Sequence, residues 1–558
     1  MVANEEAAMF IRRKRSGAIT YLQIVENHRE GGKVRQRVVG TLGREDELRE
    51  GGQLDGLLAS GAKFTENALV LLAHEEGRLE ERSKKHIGGP KVFGRLWEET
   101  GCGEVIRAHA EERRFGFDVE RAVFTTVLHR LFDPGSDRAC EVWKESYAIE
   151  GAGPLGLQHF YRAMAWLGEA LPEKEPGVEA PFSQRFTKNL IEEALFHRRR
   201  DLFTNLDMMF FDTTSLYFEG RGGETLGQNG HSKDHRPDLK QMVVGAVLDG
   251  EGNPVSSEMW PGNTADVTTL VPLGKRLARR FGVAGACLVA DRGMISQETL
   301  DWLESPETRR PYILGARMRV QKEVREEVLS RAGRYHVIHG ERQTSKDPSP
   351  LKVKEVQVGE RRYVVCHNED QARKDVEDRR LILASLEEQM KKGDKALVGN
   401  KGYRRYLKAV GSRFEIDRDK AEAEARFDGK WVLRTNTDLP TSEVALKYKQ
   451  LWMVEDLFRS VKSLLTTRPI YHKCDETILG HVFCSFLALI LVKVLEDRLR
   501  DRDMDYEWAR VIGDLNELQE VDLEQDGKRF LLRVGETGCC GRVFLASGVA
   551  IPPRLRRA

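Results

Sequence analysis

Three carboxylates stand in settings that suit phosphoryl-transfer chemistry. Asp212 follows the apolar run Met208-Met209-Phe210-Phe211, Asp291 follows Ala286-Cys287-Leu288-Val289-Ala290, and Glu455 lies in a stretch with helical spacing. Folding could therefore bring two strand-end acids and one helix acid to a common point. Magnesium takes oxygen ligands in octahedral geometry and keeps several waters, so a few carboxylates suffice and the remaining positions go to water and phosphate. Two such ions about 3.5–4 Å apart activate an attacking oxygen and stabilise a leaving one. Acids at the ends of buried strands are held within the narrow tolerance that such a site needs. Mg2+ is the expected cofactor, with Mn2+ able to substitute.

The flanking segments must supply those strands and that helix. FFDTTSLYFEG is rich in aromatic and β-branched residues, and KQMVVGAVLDGEGNPVSSEMWPGN reads as two strands joined by a turn at Asp249 to Asn253. Asp266 to Phe281 has helical spacing, GACLVAD is a short buried strand, Ser296 caps SQETLDWLES, and PYILGA is a strand again. Meander, helix, strand, helix, strand is the order of a ribonuclease H-like fold, so the expected class is a multidomain α/β chain with such a core. In YKQLWMVEDLFRSVKSL, the residues Tyr448, Leu451, Trp452, Glu455, Arg459 and Lys462 recur at steps of three and four, which puts them on one helix face. A lone Asp after a strand is more often a turn residue or a cap. Two of them together with that face point to a site.

Taken together, these strings resemble the DDE transposases of bacterial insertion sequences. The last catalytic helix of that family carries Tyr, two residues, Arg, three residues, Glu, six residues, Lys. Tyr448, Glu455 and Lys462 fall in this register, with Leu451 at the Arg position. DTTSLYF, GHSKDHRPDLKQ, PGNTAD and ADRGM are similar to the family as well, from about Asp207 to about Leu491, and MFIRRKRSGAITYLQIVENHR resembles the opening of one subgroup. The resemblance implies an enzyme that binds the terminal inverted repeats of its element as a homodimer on paired ends, hydrolyses a phosphodiester, and joins the freed 3′-hydroxyl to target DNA. It implies Asp212, Asp291 and Glu455 as catalytic metal ligands and Tyr448, Arg459 and Lys462 as phosphate contacts. His231, Lys233 and Lys240, on a loop the family places near the active site, and Arg292 beside the second acid are expected at the DNA. Two alternatives share these residues: a nuclease on the same fold that cuts without joining, and a non-catalytic DNA-binding derivative, against which the intact acids argue.

A chain of 558 residues is long enough for three or four domains. The net charge of +1 hides local asymmetry. Phe10 to Arg44 holds nine Lys and Arg against Glu26 and Glu30, an excess of seven positive charges. Local stripes of this kind bind phosphates, so Arg12, Arg13, Lys14 and Arg15 are expected DNA contacts. The eight cysteines form no CxxC pair, which argues against a zinc ribbon or a redox dithiol and fits a reducing cytoplasm. MVANEEAAMF lacks the parts of a signal peptide. The longest apolar run, Val482 to Val492, is about half of the ~20 residues that span a bilayer, so a buried core helix and no membrane partner are expected. The protein is read as cytoplasmic, on the nucleoid when bound.

Residues 1–50 form a basic β-hairpin module turning at Gly31-Gly32, followed by a charged helix around Glu66 to Lys85. Residues 51–171 are a helical region in which 89–171 is either a helix-turn-helix-like end-binding domain or a bundle that only packs. A Pro-rich linker and a helix occupy 172–206, and 207–318 is the first part of the catalytic core. The interval from Asp291 to Glu455 is too long for a bare core, so 319–427 is expected as an inserted domain. There, Arg404 and Arg405 interleave with Tyr403 and Tyr406, which suits backbone contact with base stacking or else a solvated helix face. Residues 428–500 return the last strand and catalytic helices, and 501–558 form a C-terminal region. Trp431 is expected either to stack on a displaced base or to enter the core. His231, Asp234, His235 and Asp238 have metal-ligand types, but on a loop between Gly230 and Pro237 without cysteines, and zinc is not expected there.

Overall fold

The computed structural model describes residues 9–30, 33–62, 80–200, 207–307, 309–344, 347–391, 403–410, 413–525 and 528–558. It divides into two compact units, one made of 1–86, 517–537 and 551–558, the other of 87–516 and 538–550.

A nine-stranded sheet organises the second unit. From one edge its strands run Pro254–Pro261, Gln241–Leu248, Met208–Tyr217, Cys287–Ala290, Tyr312–Gly315, Lys430–Thr435, Arg361–His367, Leu351–Val358 and His336–His339. The first three form an antiparallel meander, and Cys287–Ala290 and Tyr312–Gly315 then run parallel to Met208–Tyr217. This is the expected strand order of a ribonuclease H-like core. Met208–Tyr217 is buried along its length except at Asp212 and Tyr217, which explains its near-continuous apolar and β-branched composition. The crossover helices Leu270–Arg280 and Gln297–Glu304 lay Leu273, Leu277, Leu300 and Leu303 against Met209, Phe211 and Leu288. Ser296 Oγ accepts from Thr299 N at 3.0 Å, the cap its position suggested.

The segment 319–427 does not form one separate body. Three of its strands extend the core sheet, because Lys430–Thr435 pairs antiparallel with both Tyr312–Gly315 and Arg361–His367. Val356, Val358, Tyr363 and Val365 are buried together with Phe427 and Val432, so these strands need the sheet edge to cover their apolar side chains. Helix Glu369–Lys391 and the pieces between 403 and 424 build a satellite core around Leu386, Tyr406 and Ala421.

Helices cover the meander side. Asp475–Arg500 is long and apolar enough to cross a membrane by length and composition, yet 89% of its most apolar window is buried among protein. It crosses Leu157–Leu167 so closely that a Cβ at Gly480 would lie 2.1 Å from Met164 O. Val119–Phe132 is buried except at Arg121 and Phe132. A recognition helix needs an exposed face to enter a groove. Val119–Phe132 presents no such face.

A buried polar cluster sits between these helices. Arg130 Nη2 meets His481 Nδ1 at 2.8 Å, and His472 Nε2 lies 3.1 Å from the same His481 nitrogen and 3.5 Å from Asp137 Oδ2. Burial first, and Arg130 second, hold His129 down at about 3, His472 at about 4, and His481 well below the imidazole range. Burial pushes Asp137 up to about 6. An unfolded imidazole binds its proton near the ordinary value of 6.5, whereas His129 and His472 bind only below about 4 when folded, so stability is lost as pH falls through that window. Asp137 acts in the opposite sense, taking up its proton in the folded state first, and offsets part of the loss. Between pH 7 and 5 His129 and His472 should each cost on the order of 2 kcal/mol. Thermal unfolding followed by circular dichroism should move to lower temperature from just below pH 6.5, and His472→Phe should flatten the slope. A profile that is level from pH 7 to 5 would contradict this account.

The first unit contains two sheets. Met9–Ser16, Ile19–Glu30 and Lys33–Arg44 form a three-stranded antiparallel sheet, one strand more than the hairpin expected, and the turn at Gly31-Gly32 lies outside the described residues. Glu80–His86, Gln519–Gln525, Lys528–Val534 and Leu555–Arg557 form the other. The charged helix expected around Glu66 to Lys85 is thereby corrected at its end, since Glu80–His86 is a strand; 63–79 lie outside the described residues. A charged local sequence cannot reveal that its pairing partner is more than 400 residues away.

Candidate active site

The sheet register brings the two aspartates together. Ala290 pairs with Phe211 across parallel strands, so Asp291 continues directly beside Asp212 where the shorter strand ends. Helix Trp452–Arg459 packs Val454 and Phe458 inward against Met208–Tyr217 and Gln241–Leu248 and carries Glu455 on its exposed flank. All three acids line one cavity of roughly 400 Å³, together with Arg292, Tyr448, Leu451 and Trp431.

Each aspartate is held by a specific neighbour. Thr213 N donates to Asp212 Oδ1 at 2.7 Å, and Thr213 Oγ1 donates to Asp266 Oδ1 at 2.7 Å. Lys233 Nζ donates to Thr213 O at 2.7 Å and Thr213 Oγ1 at 2.8 Å and lies 3.1 Å from Asp266 Oδ2. Burial pushes Asp212 up to about 6, with Lys233 pulling in the other direction. Such a carboxyl gains from any cation placed in the cavity, which would favour its charged form. Asp291 accepts a hydrogen bond from Tyr448 Oη at 2.8 Å. Burial, and then the Asp291 carboxylate, push the Tyr448 phenol far above its usual range, so it remains a donor. Gly315 makes room for this contact, because a Cβ there would lie 2.5 Å from Tyr448 Oη and 2.9 Å from Arg292 N.

The stretch 448–464 is not one uninterrupted helix. Thr441–Lys449 ends in a turn at 450–451, Trp452–Arg459 comes next, and Ser460–Leu464 widens so that Leu465 N reaches Ser460 O at 2.9 Å. A wide turn of this kind inserts a residue and rotates the side chains within and beyond it off the expected face. Lys462 therefore meets Asp234 Oδ1 at 2.7 Å, a carboxylate it shares with Arg468 at 3.0 Å. Arg459 is exposed, pairs with Asp456 at 2.7 Å, and is not among the described residues that line the cavity. The guanidinium found at the cavity is that of Arg292.

The remaining expected contacts divide in the same way. Lys233, expected at the DNA, meets Thr213 and Asp266 with its three ammonium donors. His231 and Lys240 are exposed. Arg405 lies over the Tyr406 ring at 4.6 Å, and Tyr406 is buried, so that ring does not present a stacking face; the side chains of Tyr403 and Arg404 lie outside the described residues. Trp431 is half-buried and faces the cavity. Arg13, Lys14 and Arg15 are exposed, and Arg12 is half-buried, all on strand Met9–Ser16 of the first unit. The sequence reading missed the roles of Asp266, Gly315 and Arg468. Asp266 closes the PGNTAD string, and Gly315 stands near the end of PYILGA, so only their positions were visible.

The donor set suits a hard divalent cation: the cavity offers carboxylates, and among the described residues lining it there is neither cysteine nor histidine. Among the described residues no three of His, Cys, Asp and Glu lie close enough to enclose a single ion. Carboxylates taken two at a time, completed by water and phosphate, still meet the coordination that magnesium prefers.

Two family models match the chain. The family described as the transposase DDE domain matches residues 207–491, just over half of the chain and all three acids. The N-terminal domain of the IS1634 family transposases matches residues 10–75. No curated protein matches the chain. Among solved structures, the cryo-EM structure of a piggyBac transposase synaptic complex with hairpin DNA is similar over 74% of this chain and 75% of that one, at 11% identity and a TM-score of 0.35. With the strand order, the cavity acids and the two family matches in agreement, the chain belongs to the DDE transposases of insertion sequences, enzymes that cleave DNA and transfer the cut strand.

Proposed function

We propose that this transposase acts on the terminal inverted repeats of its own element, as a homodimer on paired ends, and inserts them into target DNA with Mg2+ or Mn2+ as cofactor. The observation that carries the proposal is the single cavity lined by Asp212, Asp291 and Glu455. These three would hold the ions, which when bound supply activation of water and stabilisation of the leaving oxygen. The chain's own residues orient the reaction. Tyr448 fixes one Asp291 oxygen by its hydrogen bond and leaves the other directed by the carboxylate plane. The Lys233, Asp266 and Thr213 contacts lock the backbone that carries Asp212. Arg292 is placed to take a phosphate by two parallel bonds, which Lys cannot do. Arg459, His231 and Lys240 are exposed and would meet the DNA outside the cavity.

Incubating the full chain in Mg2+ with a duplex carrying one end of the element and its flank, labelled at the 5′ end of the strand whose 3′-hydroxyl is to be joined, and a plasmid target distinguishes the readings. Label joined to plasmid is expected. Cleaved ends that never join would leave a nuclease in its place.

A further inference from the structure

We infer that one face of the three-stranded sheet Met9–Arg44 reads the base sequence of the terminal repeats from the major groove. This rests on the reading that the chain binds those repeats. Directly opposed residues share a face, and the register sets Arg12 opposite Gln23, Lys14 opposite Tyr21, and Gln23 opposite Thr41. Helix Glu45–Glu50 covers part of the other face. There Leu22 is opposite Gly43, whose Cβ position is 3.4 Å from Leu48 of helix Glu45–Glu50, while Arg13 pairs with Glu45 and Arg37 with Glu26. Two cations on that side are paired within the protein.

The open face is prearranged for recognition. Arg12 donates from Nε and Nη2 to Gln23 Oε1 at 3.4 and 3.2 Å and from Nη1 to Gln36 Oε1 at 2.9 Å, and Gln23 Nε2 donates to Thr41 Oγ1 at 3.2 Å. Three of the five guanidinium donors are thereby used to fix the side chain, and two remain. Two donors on a fixed guanidinium are what a guanine edge accepts. Lys14 is exposed on the same face, and among the described residues it makes no ion pair. Charge selects the occupant: the segment carries seven excess positive charges, and duplex DNA is the densely anionic partner that such a surface binds. Size agrees, since three strands span two spacings, about 10 Å, against a major groove about 12 Å wide.

The test measures binding of the full chain, without divalent metal, to a short duplex from the element's end and to a scrambled duplex of equal composition, across a salt series. Arg12→Ala should reduce the preference for the terminal duplex roughly tenfold or more. Arg12→Lys keeps the charge and loses the fork, so it should lose the same preference with an unchanged salt slope. Lys14→Ala should weaken both duplexes alike and lower the slope by about 0.9. Should Arg12→Ala fail to fold by circular dichroism, Arg12→Lys decides alone. Full preference in the Arg12→Lys protein overturns the inference, as does a loss of self-association in sedimentation with preference retained. If the unaltered chain itself shows no preference, the reading under the proposed function fails instead.

Discussion

Asp212→Asn, Asp291→Asn and Glu455→Gln are each expected to abolish nicking in Mg2+ while leaving binding to the element's ends intact. Each change keeps the shape of the side chain and removes the charge that attracts the cation, which should cost ~4 kcal/mol or more of transition-state stabilisation, a loss on the order of a thousandfold. The effect on folding should differ in sign from the effect on activity. Burial pushes Asp212 up to about 6, so its ionised form is disfavoured in the folded chain, and the neutral amide removes that penalty. Asp212→Asn should therefore melt no lower than the unaltered protein at pH 7. Glu455 is exposed, and its replacement should leave the melting temperature unchanged. Near-normal nicking by any of the three would remove that residue from the ligand set, and a variant inactive only because it unfolds would show it by calorimetry.

The second large effect is expected at a residue with no functional group. Gly315→Ala places a methyl 2.5 Å from Tyr448 Oη, too close for both atoms to stay. The phenol must leave Asp291 or the strand must shift, and a displacement near 1 Å at a catalytic carboxylate can cost on the order of a hundredfold. Tyr448→Phe removes the same hydrogen bond without the clash and should cost less, on the order of tenfold. If the two act through one contact, the double variant should be no slower than Gly315→Ala alone, because coupled residues are not additive. Strand transfer from a precut end measures this. Full activity in Gly315→Ala would show that the phenol's position is irrelevant.

The acids and the core order were legible because their signals are local. An apolar run ending in Asp marks a buried strand end, and the sheet register then aligns Asp212 with Asp291. Glu455 was visible through its spacing from Tyr448. The signal failed where geometry depends on something distant. The wide turn at Ser460–Leu464 rotates the side chains beyond it by about 100°, and no residue in SVKSL announces it. Lys462 and Lys233 were read as phosphate and DNA contacts from the family register and loop; their partners within the chain, Asp234 and Asp266, became neighbours only through folding. Strands in 319–427 were recognised as strands, whereas their attachment to the core sheet depended on an edge that one-dimensional pattern does not display.

The pairing of Glu80–His86 with Gln519–Gln525 has a consequence for synthesis. At ordinary elongation rates of about 5–20 residues per second, the partner strand emerges from the ribosome roughly 20 to 90 seconds after the first. Throughout that interval the earlier strand has no edge to pair with, and a bare strand is a template for wrong association. Its sequence, EERSKKH, is almost wholly charged. Repulsion and hydration at those side chains are what protect a nascent strand that must wait, and replacing them with apolar residues of good strand propensity should lower the soluble yield before it changes anything in the finished fold.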